Sequence, residues 1–102
     1  YLDGAMPKGS RTELFGRGQR YETESAESSI RKYVDYAKEI NLDPSVMANA
    51  FVNSRNFVTS NIIGATSMEQ LKLAIDSFEV ELSEENLNYL DEVHAACPNP
   101  CP

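Results

Sequence analysis

The sequence predicts an α/β chain, mostly helical, with about four helices and one strand. Three observations predict it. Apolar residues recur at helical spacing in four separate stretches. One stretch, "FVTSNIIGATSMEQLKLAIDSFE" from Phe57 to Glu79, opens with β-branched apolar residues and closes with a helical stripe. And the 102 residues are 41% hydrophobic and 25% charged, the composition of an ordinary folded domain of small size.

Residues 1–25 hold Gly4, Gly9, Gly16, Gly18 and Pro7 with little periodicity and read as one long loop. The spacing then predicts a helix over 26–40, where Ile30, Tyr33, Val34, Ala37 and Ile40 form one stripe. Ser25 is its expected N-cap and Asn41-Leu42 its end. Asp43-Pro44 starts a second helix to about Ser54, with Asp as N-cap and Pro at the first helical position. Val46, Met47, Ala50 and Phe51 are its inward residues. The strand is expected over 57–63. A third helix follows from about Met68 to Phe78, with Ser67 and Gln70 as a capping box and Met68, Leu71, Ile75 and Phe78 recurring at helical spacing. Ser83 caps the last helix, over 84–96, whose Leu87, Leu90 and Val93 turn inward. Residues 97–102, "CPNPCP", form an irregular tail.

A single strand is the odd feature. Its main-chain N–H and C=O groups need partners when buried, and its residues are too apolar for an extended loop facing water. The neighbours must come from another copy of the chain or from a missing segment of the same polypeptide. With Tyr1 rather than Met at the start, the expectation is a piece of a larger protein, able to self-associate when alone.

The formal net charge of −7 argues against nucleic acid as a partner. The charge is uneven: residues 1–21 hold four basic against two acidic side chains, a balance of +2, so the rest of the chain carries −9. The short turn between the first two helices resembles a helix-turn-helix outline, but the second helix offers only Asn49, Asn53 and Arg55 as polar readers in acidic surroundings. No apolar run is long enough to span a membrane and no secretory signal is visible, so the expected compartment is cytoplasmic. Cys97 and Cys101, without a second pair or an adjacent His, make a poor zinc site. No metal ligand is assigned, and His94 is read as a favourable charge at a helix C-terminus.

The chemistry points to the joint Gly64-Ala65-Thr66-Ser67. A helix N-terminus carries unpaired N–H donors and a positive dipole end, which suit an anion. Glycine lets a ligand approach the backbone, and Thr66 and Ser67 add hydroxyls.

The run "NLDPSVMANAFVNSRNFVTSNIIGATSMEQLKLAIDSFEVELSEENLNYLDEVH" resembles the C-terminal part of aldo-keto reductases. The Leu-x-Pro turn, the Gly-Ala-Thr joint, the Gln-Leu pair and the Leu-Ser-Glu opening arrive in family order, and the likeness extends from about Tyr1 to His94. The resemblance implies the C-terminal portion of a (β/α)8 TIM barrel that uses NADP(H) to reduce small aldehydes and ketones. It makes residues 1–25 a cofactor-covering loop after strand seven, and 26–96 the last helices with strand eight. On the same resemblance, Gly64, Ala65 and Thr66 approach the adenosine 2′-phosphate and Gln70 contacts the adenosine end. Arg11 folds over the cofactor, where a planar guanidinium suits a phosphate. The family's catalytic Asp, Tyr, Lys and His fall ahead of Tyr1, so no catalytic residue is assigned and the isolated chain is expected to be inactive.

The chain departs from the family at Leu73 and Ala74, where Glu or Thr and then Asn are usual. The Asn would bond the adenine edge, and Ala74 cannot. Two other readings stand beside the reductase: a non-enzymatic helical module that binds a protein, and a barrel that binds cofactor as a regulatory subunit.

Overall fold

The computed structural model describes residues 8–9, 13–14 and 23–101. They form four α-helices, α1 (Glu24–Glu39), α2 (Pro44–Asn53), α3 (Met68–Asp76) and α4 (Glu84–Ala96), with a 3-10 turn over Ser77–Glu79 after α3. Glu13 and Leu14, inside the stretch expected to be a loop, are helical as well. Arg11, Tyr1 and most of the expected loop lie outside the described residues.

The helix boundaries follow local chemistry. α1 starts two residues earlier than Ser25 predicts, because Thr23 is the N-cap and its hydroxyl accepts from the Ala26 N–H at 3.0 Å. At the other end Asn41 takes a left-handed φ of 57°. Its N–H donates to Lys38 O, and the Leu42 N–H donates to Ala37 O. This pair of bonds is a Schellman closure, and asparagine tolerates the required conformation. Asp43 caps α2 through Oδ1, which accepts from the N–H groups of Ser45 and Val46, and Pro44 follows. Ser83 and Asn86 form a reciprocal capping box on α4.

The core lies among α1, α2 and α4. Tyr36, Ala37, Met47 and Leu90 are buried together, with Tyr33, Ile40, Leu42, Phe51, Leu82 and Tyr89 packed around them. The predicted inward residues of α2 hold: Val46, Met47 and Ala50 are buried and Phe51 is half-buried. In α1 the stripe is wider than expected, because Tyr36, Ser29 and Ala26 are buried beside Ala37. Asn86 Nδ2 donates to the Tyr36 hydroxyl at 2.9 Å, which satisfies that phenol at the core edge. Arg55 lies over the Phe51 ring at 4.1 Å and pairs with Asp91 at 3.2 Å, clipping the end of α2 to α4. The C-terminal tail is tied as well: the Thr23 hydroxyl lies 3.2 Å from the Pro100 carbonyl and donates to it.

One expectation changes. The strand predicted over 57–63 does not form among the described residues; the segment is irregular or extended without a ladder. The physical reason is the one its sequence raised, since no second strand is present among the described residues to pair with it. The helical stripe of α3 faces outward. Phe57, Ile62, Met68, Ile75 and Phe78 are all exposed, and α3 buries Ala74 toward α2 instead. No helix among the described residues is long and apolar enough to cross a membrane.

Candidate functional site

The joint residues lie along a shallow depression of about 470 Å³ between α2 and the start of α3. Gly64, Ala65 and Gln70 line it, together with Ser45 and Asn49 from α2 and Leu73 and Ala74 from α3. Thr66 stands next to this rim. Four of the five residues singled out in the sequence therefore come together, and the fifth, Arg11, lies outside the described residues.

The donors at the joint converge on one acceptor. The Thr66 N–H donates to Gln70 Oε1 at 2.8 Å, and the Thr66 hydroxyl reaches the same oxygen at 3.1 Å. Ser67 Oγ accepts from the Gln70 N–H at 3.2 Å as the N-cap. The expected capping box is therefore half built: the Gln70 side chain passes over Ser67 and takes the donors of Thr66. The first N–H groups of α3 have no partner inside the helix by its geometry. Together these features make a small donor-rich corner in which a side-chain oxygen now stands where an anionic oxygen could.

Gly64 adds to this corner. It does not sit in the left-handed region, and a Cβ built on it would meet nothing within 4 Å. Neither backbone strain nor internal packing requires glycine there, and the open space leaves its backbone accessible. The local charge is not cationic. Glu69 stands in the first turn of α3, and Lys72 is paired with Asp76. The residues at this corner thus offer hydrogen-bond donors suited to an anionic oxygen, without a cationic side chain beside them among the described residues.

A half-buried asparagine–serine network fixes the approach to the joint, and the sequence reading missed it. Asn61 Nδ2 donates to Asn49 Oδ1 at 2.9 Å and to Asn53 Oδ1 at 3.2 Å. Asn53 Nδ2 donates to Ser77 Oγ, and the Ser77 hydroxyl donates to Ala74 O at 2.6 Å. The extended segment and the end of α3 are both pinned to α2. Asn49 and Asn53, weighed above as nucleic-acid readers, are used internally. The signal was there: they are four apart, on one side of α2, beside the apolar Val46 and Ala50. A larger cleft of about 570 Å³ is bounded by Asn53, Asn61 and Ser77 with Phe78 and Leu82, but those polar groups already bond one another.

The family model described as "Aldo/keto reductase family" matches residues 2–95, so the chain belongs to the aldo/keto reductase family. It is 45% identical over 102 residues to Protein tas of Escherichia coli (strain K12), and equally to Protein tas of Shigella flexneri. It is 31% identical over 100 residues, 91% of this chain, to a Schizosaccharomyces pombe protein provisionally named a voltage-gated potassium channel subunit beta. The alignment to Protein tas covers all of this chain and 30% of that relative, so the chain spans about a third of the length of the relatives it matches.

Proposed function

We propose that this chain is the NADP(H)-binding C-terminal part of an aldo-keto reductase that reduces aldehydes or ketones by hydride transfer. The observation that carries the reading is the convergence of the Thr66 N–H and hydroxyl on one oxygen beside Gly64. In this reading the 2′-phosphate of the cofactor takes the place of Gln70 Oε1. Gln70 then turns toward the adenosine, and Arg11 brings the positive charge the corner lacks. When bound, NADPH supplies the hydride, while this chain contributes binding and orientation.

Residues 57–63 are strand eight of a (β/α)8 barrel in the same reading, and α2 and α3 are helices seven and eight. The preceding barrel strands pair with the segment and cover the exposed apolar residues around it. The chain by itself lacks the catalytic Asp, Tyr, Lys and His and is inactive.

The test is titration of NADPH into the protein as isolated from its source, with Gly64→Ala and Gln70→Ala variants alongside. Gly64→Ala leaves stability unchanged, because its Cβ enters open space, and it weakens NADPH. Equal NADPH affinity in wild type and both variants would remove the joint from the cofactor site. A second reading, a regulatory subunit on the same fold, is favoured by the likeness to the S. pombe channel-subunit relative. Carbonyl-dependent NADPH oxidation separates the two: the reductase oxidises NADPH and the regulatory subunit does not.

A further inference from the structure

The depression beside the joint has two kinds of wall. Ala65, Leu73 and Ala74 give it apolar surface, and Ser45, Asn49 and Gln70 give it a polar rim. That combination suits a flat heteroaromatic ring with hydrogen-bonding groups on its edge. Ala74 cannot bond such an edge. It is 7% exposed and packs toward α2, so a longer amide at that position would meet α2 in this packing.

The opposite wall does carry polar groups. The Ser45 N–H donates to Asp43 Oδ1, and its carbonyl accepts from Asn49 Nδ2 at 2.8 Å. Its backbone is therefore occupied, and the exposed hydroxyl is the group α2 presents at the rim. Asn49 is bonded at both ends of its amide, to Ser45 O and to Asn61 Nδ2. It ties the turn that holds Ser45 to the segment that leads into Gly64, and so fixes the width of the depression.

We infer that the adenine of the nucleotide is read across the depression by the Ser45 hydroxyl on α2, held in place by Asn49, in place of a contact from position 74 on α3. This rests on the nucleotide reading above. A hydroxyl both donates and accepts, so it can meet the amino group or a ring nitrogen of the base edge. Ser45 is the reading residue and Asn49 a positioning residue.

The test uses two small probes, 2′-AMP and 2′-UMP, titrated calorimetrically into the protein as isolated from its source, with Ser45→Ala and Gln70→Ala variants. Both probes carry the 2′-phosphate and differ in the base. The expected result is a loss of about 5-fold for 2′-AMP in Ser45→Ala, the size of one ordinary hydrogen bond, with 2′-UMP unchanged. Gln70→Ala then changes both probes. If Ser45→Ala leaves 2′-AMP unchanged while Gln70→Ala alters both, the nucleotide pocket stands and the role of Ser45 is overturned. An equal loss of both probes in Ser45→Ala also overturns it, because a reader of the base cannot affect the phosphate equally. If wild type binds neither probe, the nucleotide reading itself fails.

Discussion

Tyr36 on α1 and Tyr89 on α4 stack ring upon ring, with centroids 3.8 Å apart and planes 20° from parallel. The pair joins two helices far apart in sequence, and Asn86, in the first turn of α4, bonds the Tyr36 hydroxyl. Stacked aromatic pairs contribute about 0.5–1.5 kcal/mol beyond their area. Tyr36→Phe keeps the stack and loses the hydrogen bond, for a cost of about 1 kcal/mol. Tyr89→Ala loses the stack and its burial, for a larger cost of roughly 2 kcal/mol. Urea unfolding of the two variants, and of Asn86→Ala, checks the order. Equal midpoints for Tyr36→Phe and Tyr89→Ala would mean the rings contribute nothing beyond the hydroxyl.

Asn61 holds the segment that leads to Gly64. Asn61→Ala removes two hydrogen bonds to α2 and costs roughly 1–3 kcal/mol locally. Amide hydrogen exchange should then accelerate over residues 57–66 and stay unchanged in α1 and α4. Uniform acceleration throughout would instead mean that the segment and the core open as one unit.

Tyr33 gives the chain a pH dependence in alkali. Its phenol is raised above the ordinary value, first by burial and then by the negative charges of Asp91 and Cys97. The fold therefore favours the neutral phenol. The stability this contributes is complete below the unfolded value of about 10 and is lost as pH rises through the higher folded value. Tyr33→Phe cannot ionise, so its urea midpoint should fall less than that of wild type between pH 9 and pH 11. Parallel falls would rule out Tyr33 as the source.

The exposed apolar residues predict that the chain self-associates when it is alone. Ile62 is 95% exposed and Phe78 69% exposed, a combination suited to burial by another surface. Sedimentation of the 102-residue chain should show concentration-dependent oligomers, and Ile62→Ser with Phe78→Ser should move the balance toward monomer. A sharp, concentration-independent thermal transition of the monomer would contradict this.

The helices were legible in the sequence because their ends carry their own chemistry. Asp43-Pro44 and Ser83 cap through bonds made within a few residues, and no distant partner can alter them. Thr23 shows the limit of such reading. Thr23 and Ser25 are both competent caps, and the choice moves α1 by two residues. The strand over 57–63 was read from residues that suit a sheet, but a strand exists only with a neighbour, and sequence pattern cannot supply one. Ile75 and Phe78 recur at helical spacing yet stand exposed, since spacing marks an apolar face and not what covers it. At the joint, Gly64, Thr66 and Gln70 were found because the glycine and the helix start are local signals. Ser45 and Asn49 were not, since they reach the depression from another helix through a contact that only folding creates.

The oxygen of Gln70 has a consequence for selectivity. A corner already occupied by the chain's own acceptor sets a threshold for whatever would replace it. An incoming group must bond the two donors of Thr66 better than a neutral amide oxygen does. Chloride and other small, well-hydrated monovalent anions gain little by the exchange and stay in solution. On the proposed function, a phosphate dianion, with stronger, charge-assisted bonds to the same donors, would displace the amide. The corner would thus ignore the commonest anions of its surroundings with no side chain built to repel them.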